Sequence, residues 1–354
     1  MNPQSHEASP PPDHGARYSK QERFAPIGVA GQQRLAEGTA VVVGCGALGS
    51  LSASLLVRAG VGTVRIVDRD FVELSNLQRQ VLFDEKDAAE GSPKAVAAAT
   101  KLRAVNSQVA IEAVVADVTH ENIRQMAAGA GVIVDGTDNF ETRLLINDYA
   151  VQSGTPWVYG GCLGAEGQVL TILPGQSACL TCLVPEPPAP GATPTCDTAG
   201  VLGPAVGVVA SMQAAEAIKV LSGATEAVCR KLTVVDLWDS STRQFDLANL
   251  HPPGSCPTCD DRQFPWLGGK LGSEAVTLCG RNAVQVRPAQ AAKLDLPALA
   301  TRLRPLGEVS SNPFFVRLKL PPHTVTIFAD GRSIVAGSED PIEAKALLAR
   351  LLGA

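Results

Sequence analysis

A surplus of basic side chains and long apolar runs are both missing from this 354-residue sequence. Its 30 lysines and arginines are outnumbered by 35 aspartates and glutamates, so no overall positive field is available to hold nucleic acid or an anionic membrane. No run of roughly 18 uninterrupted apolar residues argues for a membrane-spanning helix. The start of the chain also lacks the pattern of a secretion signal. We therefore expect a cytoplasmic protein with neither nucleic acid nor membrane as a partner.

Cysteine is also scarce, since nine cysteines are too few for a disulfide framework in a chain of this length. Four of them form two C-x-x-C pairs, Cys179 with Cys182 and Cys256 with Cys259. Coincidence and a redox pair are the alternatives. Two pairs in polar, proline-flanked stretches, neither in a strand-to-helix redox context, favour a tetrahedral four-cysteine Zn2+ site. A complete ligand set makes such a site structural rather than catalytic.

The composition is that of a globular protein, with 45% apolar and 18% charged residues. These values exclude a disordered, collagen-like or coiled-coil chain, and the length suits one large α/β domain plus a small one. Residues 1–17 are rich in proline, serine and histidine without an apolar period, which predicts a disordered tail.

Strands alternate with helices over residues 18–261, which predicts an α/β domain with a doubly wound, Rossmann-like mixed sheet. Its strands are expected at residues 40–43, 64–70, 110–115, 132–139, 156–161 and 167–173, with a hairpin at 231–247. Its helices are expected near residues 51–56, 91–105, 121–126, 140–154 and 205–223, and a proline- and glycine-rich loop is expected at 174–203. Ser92 is expected to cap the second of these helices, with Pro93 at its first position. Residues 262–354 are predicted to form a separate, small α+β domain of unknown role. Its strands are expected at residues 283–286, 314–320 and 324–328 and after the ADGRS turn at 329–333, and its helices at 296–306 and after Asp340.

A glycine-rich turn follows the first predicted strand. Gly44, Gly46 and Gly49 form the pattern G-x-G-x-x-G between a strand and a helix, and Asp68 ends the next strand. Such a turn lets a phosphate approach the helix N-terminus, and the acidic residue accepts hydrogen bonds from ribose hydroxyls. The alternative is that these glycines only allow the helix and strand to pack closely.

Three further residues favour ATP over NAD at this turn. Lys94 lies in the first turn of a predicted helix, where the helix dipole disfavours a cation unless an anion is bound there. Arg79 supplies a second cation, and Asp138 supplies a carboxylate at the end of a strand. Two cations for a polyphosphate and one carboxylate for Mg2+ suit phosphoryl transfer, and nicotinamide chemistry requires none of them. The G-x-G-x-x-G pattern and Asp68, taken alone, are equally compatible with an NAD-dependent oxidoreductase, which therefore stays an alternative.

Seven segments, in order, resemble the MoeB/ThiF family of ubiquitin-activating-type adenylyltransferases. They are GCGALGS at 44–50, VDRDFVELSNLQRQ at 67–80, GSPKA at 91–95, DGTDNFETR at 135–143, CLTC at 179–182, TCDTAGVLGPAVGVVASMQAAEAIK at 195–219 and CPTC at 256–259. The resemblance extends from about Tyr18 to Cys259, so residues 262–354 lie outside it.

This resemblance implies an enzyme that uses ATP and Mg2+ to adenylate the C-terminal Gly-Gly carboxylate of a ubiquitin-like sulfur-carrier protein, for molybdopterin or thiamine biosynthesis. It further implies a homodimer, and a sulfurtransferase or cysteine desulfurase as an additional partner. A C-terminal carboxylate, with a usual pKa of about 3.5, is ionised at neutral pH and needs positioning and charge neutralisation rather than a general base. A non-catalytic, zinc-stapled nucleotide-binding scaffold remains an alternative.

The resemblance also implies roles for individual residues. The expected nucleotide-binding residues are Gly44, Gly46, Ala47, Gly49, Asp68, Asp70, Ser75, Asn76, Leu77, Gln78, Arg79, Lys94, Asp138 and Asn139. Arg79, Lys94 and Asp138 are also expected to be catalytic, as is Lys20, which would reach the phosphates of a partner subunit. Lys20 stands where relatives carry arginine, so the charge is kept and the bidentate geometry is lost.

The cysteines receive separate roles from the resemblance. Cys179, Cys182, Cys256 and Cys259 match the zinc ligands of the family. Cys196, beside Asp197, is a candidate catalytic residue, because the matching cysteine of some relatives forms a covalent link to the activated carrier and that of others is not needed. Asp197 works against a thiolate there, so both interpretations stay open.

Overall fold

The structure is a computed structural model that describes residues 14–188, 196–248, 250, 254–271, 275–278, 282–286 and 294–352. These residues form two compact units. The first comprises the described residues up to Pro185 together with Gly203–Phe264, and the second comprises those of Glu186–Leu202 and of Pro265 onward. The segment Glu186–Leu202, predicted to belong to the first domain, groups with the C-terminal region instead.

Twelve α-helices lie in the described parts of the chain. They are α1 (His14–Glu22), α2 (Gly28–Glu37), α3 (Ala47–Ala59), α4 (Glu85–Glu90), α5 (Lys94–Val105), α6 (Ile123–Met126), α7 (Phe140–Ser153), α8 (Leu180–Leu183), α9 (Cys196–Ala199), α10 (Gly203–Ser222), α11 (Leu296–Leu303) and α12 (Pro341–Leu352). Of the predicted tail, residues 1–13 lie outside the described residues, and residues 14–17 belong to α1. Helix α2 was not predicted, because its apolar pattern is weak.

The first unit is a mixed α/β structure built on an eight-stranded sheet. Its strands are β1 (Thr39–Val43), β2 (Thr63–Val67), β3 (Ala110–Val114), β4 (Val132–Asp135), β5 (Trp157–Leu163), β6 (Glu166–Ile172), β7 (Leu232–Asp236) and β8 (Ser241–Phe245). Their order is β3-β2-β1-β4-β5-β6-β7-β8. The first five strands in this order pair in parallel, and β6, β7 and β8 join antiparallel. The predicted mixed sheet is confirmed.

The central parallel strands are buried apolar runs. Val41 and Val42 in β1 and Val132 and Val134 in β4 have no exposed surface. Parallel strands covered on both faces have this composition, since β-branched side chains pack well on a pleated sheet. The polar residues that follow these strands therefore lie where the chain leaves the core.

Helix α10 packs against α3, β5 and β6. By length and composition alone its 20 residues could cross a membrane, but half of its most apolar 18-residue stretch is buried within the protein. A buried apolar helix of this kind is what the core of a large α/β unit requires. Gly223, with a φ of 82°, follows the helix at the point where the sequence predicts its end.

The second unit contains a six-stranded antiparallel sheet. Its strands are β9 (Ala275–Leu278), β10 (Ala283–Val286), β11 (Glu308–Ser311), β12 (Phe315–Leu320), β13 (His323–Phe328) and β14 (Ser333–Ala336), in the order β11-β12-β13-β14-β10-β9. Helices α11 and α12 supply leucines to a core that they share with the apolar residues of the sheet, such as Val316 and Ile327. The strands β9 and β11 were not predicted, and the other four were.

Candidate active site

The glycine turn between β1 and α3 lies against the turn that follows β4. A Cβ atom at Gly49 would lie 1.8 Å from the carbonyl oxygen of Gly44, and one at Gly44 would lie 2.6 Å from that of Gly136. Close packing of backbone segments therefore requires glycine at 44 and 49. Gly46 differs, because a Cβ there would come no nearer than 3.9 Å to its neighbours, which are Gln80 and Gly136. Packing does not explain Gly46, whereas a ligand close to the backbone would.

The carboxylate of Asp68 ties this turn to the loop after β2. It accepts hydrogen bonds from the backbone N–H of Cys45 in the glycine turn and from that of Asp70 at 2.6 Å. Burial raises the pKa of Asp68, and the positive charge of Lys94 opposes that rise. An acidic side chain thus lies beside the turn, as a ribose-binding role requires.

Lys94 is held against Asp70 by its backbone and by its side chain. Phe71 pairs with Pro93 as an isolated β-bridge, and the N–H of Lys94 donates to the carbonyl of Asp70 at 2.9 Å. The ammonium group lies 3.3 Å from the Asp70 carboxylate. The prediction that Pro93 opens the helix and Ser92 caps it is wrong by one residue, because the pairing keeps Pro93 extended and α5 begins at Lys94. The lysine is nevertheless in the first turn, as predicted.

The loop after Asp70 turns back on itself through side-chain hydrogen bonds. The amide oxygen of buried Asn76 accepts from the N–H of Glu73 at 3.2 Å. The guanidinium of Arg79 donates to the carbonyl of Ser75 at 3.1 Å. Between them Leu77 is half-buried and Gln78 is exposed. Arg79 is therefore positioned by its own loop, next to Gln80, which lines the space at Gly46.

Asp138 follows β4 as an exposed residue at the start of α7. The next residue, Asn139, is the N-cap of that helix, and its side-chain oxygen accepts from the N–H of Thr142 at 2.8 Å. The side-chain oxygen of Asn139 thus caps the N-terminus of α7. Asp138 is one of the groups whose charge acts on Arg69 and Arg143.

Arg143, which sequence reasoning missed, holds the segment that carries Asp138. Its Nε donates to the carboxylate of Asp135 at 3.0 Å, and its Nη2 donates to the carbonyls of Thr137 at 2.7 Å and Gly160 at 2.9 Å. Burial raises the pKa of Asp135, and the charge of Arg143 opposes that rise. A buried arginine with this many partners is a strong local constraint. The one signal in the sequence was its position four residues after Asn139, on the same face of a predicted helix.

The predicted nucleotide residues therefore gather at the carboxyl ends of β1, β2 and β4. Of the residues expected in the site, the structure links the glycine turn, Asp68, Asp70 and Lys94 by direct contacts. Gln80 and Arg69 belong to the same region and were also missed. Arg69 forms an ion pair with Asp117 at 3.2 Å.

Lys20 lies elsewhere in the first unit. It is an exposed residue of α1, and α1 contacts the far end of α3 through Gln21, whose side chain donates to the carbonyl of Ala59 at 2.8 Å. Gly46 caps the other end of α3, and a helix of 13 residues spans about 20 Å. Lys20 is thus not brought to the glycine turn of its own chain. Cys196 begins α9, and its side chain lies outside the described residues, so its covalent role stays a prediction.

The four cysteines of the two C-x-x-C pairs meet in the first unit. The Sγ atoms of Cys179 and Cys182, and of Cys179 and Cys256, are 3.8 Å apart, those of Cys182 and Cys259 are 3.5 Å apart, and all four lie within 4.8 Å of one another. Disulfide sulfurs would be about 2 Å apart. Four sulfurs at about 2.3 Å from a tetrahedral metal ion are separated by about 3.8 Å. The cluster could hold a metal ion of that kind.

The pKa values of the thiols in the cluster are shifted in opposite directions. A hydrogen bond from Cys182 is the main cause that lowers the pKa of Cys179 to about 5. The same hydrogen bond acts in the opposite direction on its donor, so the pKa of Cys182 is raised. The amide of Asn147, fully buried in α7, also donates to the Cys179 sulfur at 3.6 Å. Neighbouring polar groups of this kind orient metal ligands in proteins.

Comparison with known proteins places the first unit in a family. The model of the ThiF family matches residues 18–258. The sulfur carrier protein ThiS adenylyltransferase of Bacillus subtilis (strain 168) is 46% identical over 339 residues, which are 95% of this chain and 99% of that protein. This match therefore extends through most of the C-terminal region, beyond the resemblance noted from motifs.

Two further proteins match about 70% of this chain. The sulfur carrier protein adenylyltransferase of Thermus thermophilus is 41% identical over 250 residues, covering 69% of this chain and 90% of that protein. Among solved structures, E. coli MccB has a TM-score of 0.61 at 20% identity, with 72% of this chain and 74% of that chain covered. At 20% identity, this structural match supports the fold alone.

Proposed function

This chain belongs to the ThiF family, and from that premise we propose that it adenylates the C-terminal carboxylate of a ubiquitin-like sulfur-carrier protein ending in Gly-Gly. The observation that carries the proposal is the convergence of a glycine turn, a buried acidic residue and a buried lysine at neighbouring strand ends. The relative from Bacillus subtilis is named a sulfur carrier protein ThiS adenylyltransferase, and it aligns over nearly its full length.

The space at Gly46 supports a nucleotide at the turn. Because packing leaves this position open, a phosphate can approach the backbone there, close to the N-terminus of α3. The acidic Asp68 would receive the ribose hydroxyls, and Asp70 and Asn76 would shape the surrounding loop. The same fingerprint would suit NAD. The lysine, the arginine and the exposed carboxylate around it suit ATP better, and family membership favours ATP as well.

In the proposed reaction, an oxygen of the carrier's terminal carboxylate attacks the α-phosphorus of ATP. A bond forms between that oxygen and phosphorus, the bond between the α-phosphorus and the bridging oxygen breaks, and pyrophosphate leaves with the electron pair. The carboxylate is already ionised, so no residue has to remove a proton. The chain must hold the two reactants in line and offset the charge that develops on the phosphates.

Two cationic side chains and a magnesium ion would offset that charge. Lys94, whose charge is buried beside Asp70, would contact the α-phosphate, and Arg79 would contact the outer phosphates. Asp138 would hold Mg2+, which, when bound, neutralises phosphate charge. Arg143 would keep Asp138 in place through the carbonyl of Thr137.

We further propose that the four-cysteine cluster binds Zn2+ and that its role is structural. Its four thiols already form a complete tetrahedral set, which leaves no open position for a substrate. None of the seven cysteines that the structure describes forms a disulfide bond, which agrees with a reducing compartment. We place the protein in the cytoplasm on that ground.

A homodimer is part of the proposal because of where Lys20 lies. Its helix is at the far end of α3 from the glycine turn of the same chain, so a role on phosphates requires a second subunit. A sulfurtransferase or cysteine desulfurase would then act on the adenylated carrier, because displacement of AMP by a sulfur nucleophile is the reaction that consumes an acyl adenylate.

The test is ATP–pyrophosphate isotope exchange by the full-length protein with Mg2+ and a panel of β-grasp proteins that end in Gly-Gly. Exchange that appears with one carrier, and disappears when its last glycine is deleted, supports adenylation and identifies the carrier. Binding of ATP without exchange for any carrier would contradict the proposal and favour a non-catalytic scaffold. Binding of NAD without binding of ATP would favour an oxidoreductase.

A further inference from the structure

Three polar residues follow one another at intervals of four along α7 and its N-cap: Asn139, Arg143 and Asn147. Residues at this spacing lie on one face of a helix. Arg143 and Asn147 each bind a different segment of the chain, and Asn139 caps the helix itself. Asn139 caps the helix beside Asp138, and Arg143 binds the end of β4. Asn147 reaches the metal-ligand cluster.

The side chain of Asn147 makes three hydrogen bonds within that cluster. Its amide oxygen accepts from the N–H of Leu180 at 2.8 Å, and its amide nitrogen donates to the hydroxyl of Thr181 at 3.0 Å and to the sulfur of Cys179 at 3.6 Å. The same Thr181 hydroxyl accepts from Thr258, at 3.1 Å, in the second C-x-x-C pair. One fully buried amide therefore contacts the first pair directly and the second pair through Thr181.

We propose that Asn147 is a positioning residue that couples metal binding at the four cysteines to the placement of Asp138, with α7 as the rigid connection. The proposal rests on the proposed function, because it assigns Asp138 to the magnesium ion of the nucleotide. The distance along the helix from Asn147 to the N-cap Asn139 is short, since eight residues of helix span about 12 Å. The connection is also continuous, because Arg143 fixes the first turn of the helix to Asp135, Thr137 and Gly160.

The physical basis has two parts. A hydrogen-bond donor to a metal-ligating sulfur orients that ligand, and loss of such an outer contact lowers metal affinity by about 10- to 100-fold. A loaded cluster in turn fixes Leu180 and Thr181, and these fix Asn147. A helix anchored in its first turn by Arg143 and in its middle by Asn147 presents its N-terminal residues in one arrangement.

The first experiment measures metal release from the loaded full-length protein with a chromogenic chelator. Asn147→Asp keeps the size of the side chain but replaces the donor to Cys179 with a negative charge, and Asn147→Ala removes all three hydrogen bonds. The matched control is Asn106→Ala, which removes an equally buried amide that bonds to Tyr18 at 2.7 Å and to the carbonyl of Val57 at 2.9 Å, away from the cysteines.

Both variants at 147 should release metal at least about 10-fold faster than wild type, and the control at 106 should not. Equal release by Asn147→Asp and Asn106→Ala would overturn the proposal. Thermal unfolding of all variants shows whether the loss is merely one of stability, because Asn106→Ala should destabilise the protein by a similar amount.

The second experiment measures the affinity for Mg2+–ATP by calorimetry in loaded protein and in metal-depleted protein. The affinity of the wild type for Mg2+–ATP should fall by about 5-fold or more when the metal is removed from the cysteines. Loaded Asn147→Ala should already bind Mg2+–ATP more weakly than the wild type, and its affinity should fall little further on metal removal. Equal losses in the two proteins would overturn the coupling. A wild-type protein that binds metal but no ATP would instead refute the proposed function, and the release measurements would still report on Asn147.

Discussion

Lys94 and Asp70 are joined twice, once through the backbone at 2.9 Å and once through the side chains at 3.3 Å. The double link fixes a cation at the first turn of α5, where the helix dipole works against it. In the proposed function, this cation contacts the α-phosphate of ATP. The consequences for catalysis and for pH dependence can be measured separately.

Lys94→Ala should lower the rate of carrier-dependent pyrophosphate exchange by about 100- to 1,000-fold, the usual effect of removing one preorganised group that offsets charge in the transition state. The matched control is Lys101→Ala in the same helix. Lys101 pairs with Asp87 at 2.7 Å and with Asp84, so its loss removes surface ion pairs only. Comparable rates for the two variants would remove Lys94 from the reaction.

The pH dependence of adenosine binding should shift in Lys94→Ala. Burial raises the pKa of Asp68, and Lys94 opposes that rise, so removal of the lysine raises the pKa further. The ionised carboxylate is the form that best accepts from ribose hydroxyls, so binding should be lost as pH falls, at a higher pH in the variant than in wild type. Adenosine is the ligand to use, because it lacks the phosphates that Lys94 would also contact. An unchanged pH profile would separate Asp68 from ribose binding.

Alanine at two glycines of the same turn should give opposite results. Gly49→Ala forces a Cβ to within 1.8 Å of the Gly44 carbonyl oxygen and should prevent normal folding. Gly46→Ala meets only ordinary contacts, so thermal unfolding should change little and the affinity for ATP should fall at least several-fold. The measurements are thermal unfolding and calorimetric titration with ATP. Wild-type affinity in folded Gly46→Ala would show that no ligand approaches this position.

Mixing two inactive variants should restore activity if Lys20 acts on a partner subunit. Lys20→Ala and Lys94→Ala should each be nearly inactive alone. After random exchange of subunits at equal concentration, about half of the dimers are mixed, and one of the two sites in each has both lysines, so about a quarter of wild-type activity should return. No recovery in a mixture that contains verified heterodimers would place Lys20 outside the reaction.

Local signals predicted much of this site. The glycine turn, the acidic residue after β2 and the two C-x-x-C pairs are defined by residue types at short spacing, and the structure places them at strand ends and in one cluster. Arg143 and Asn147 could not be assigned in the same way. Their roles depend on Gly160 and Leu180, which are distant in sequence, and a polar residue in a helix is by itself typical of a solvated face.

Errors in the predicted fold have similar causes. Ser92 and Pro93 are typical of a helix start, but pairing of Pro93 with Phe71 outweighs the local preference. The chain segment 186–202 is joined in sequence to the first unit on both sides, yet it groups with the second. Nothing in its proline-rich composition indicates that choice.

The separation of the two C-x-x-C pairs also has a consequence during biosynthesis. The strands and turns that carry the nucleotide residues are complete once Asn139 has been made, whereas the fourth metal ligand arrives only with Cys259, 120 residues later. At translation rates of about 5–20 residues per second, this interval lasts roughly 6 to 24 s. A nascent chain therefore spends that time without the complete cysteine cluster, and the ribosome sets the earliest moment at which Asn147 can be linked to both C-x-x-C pairs.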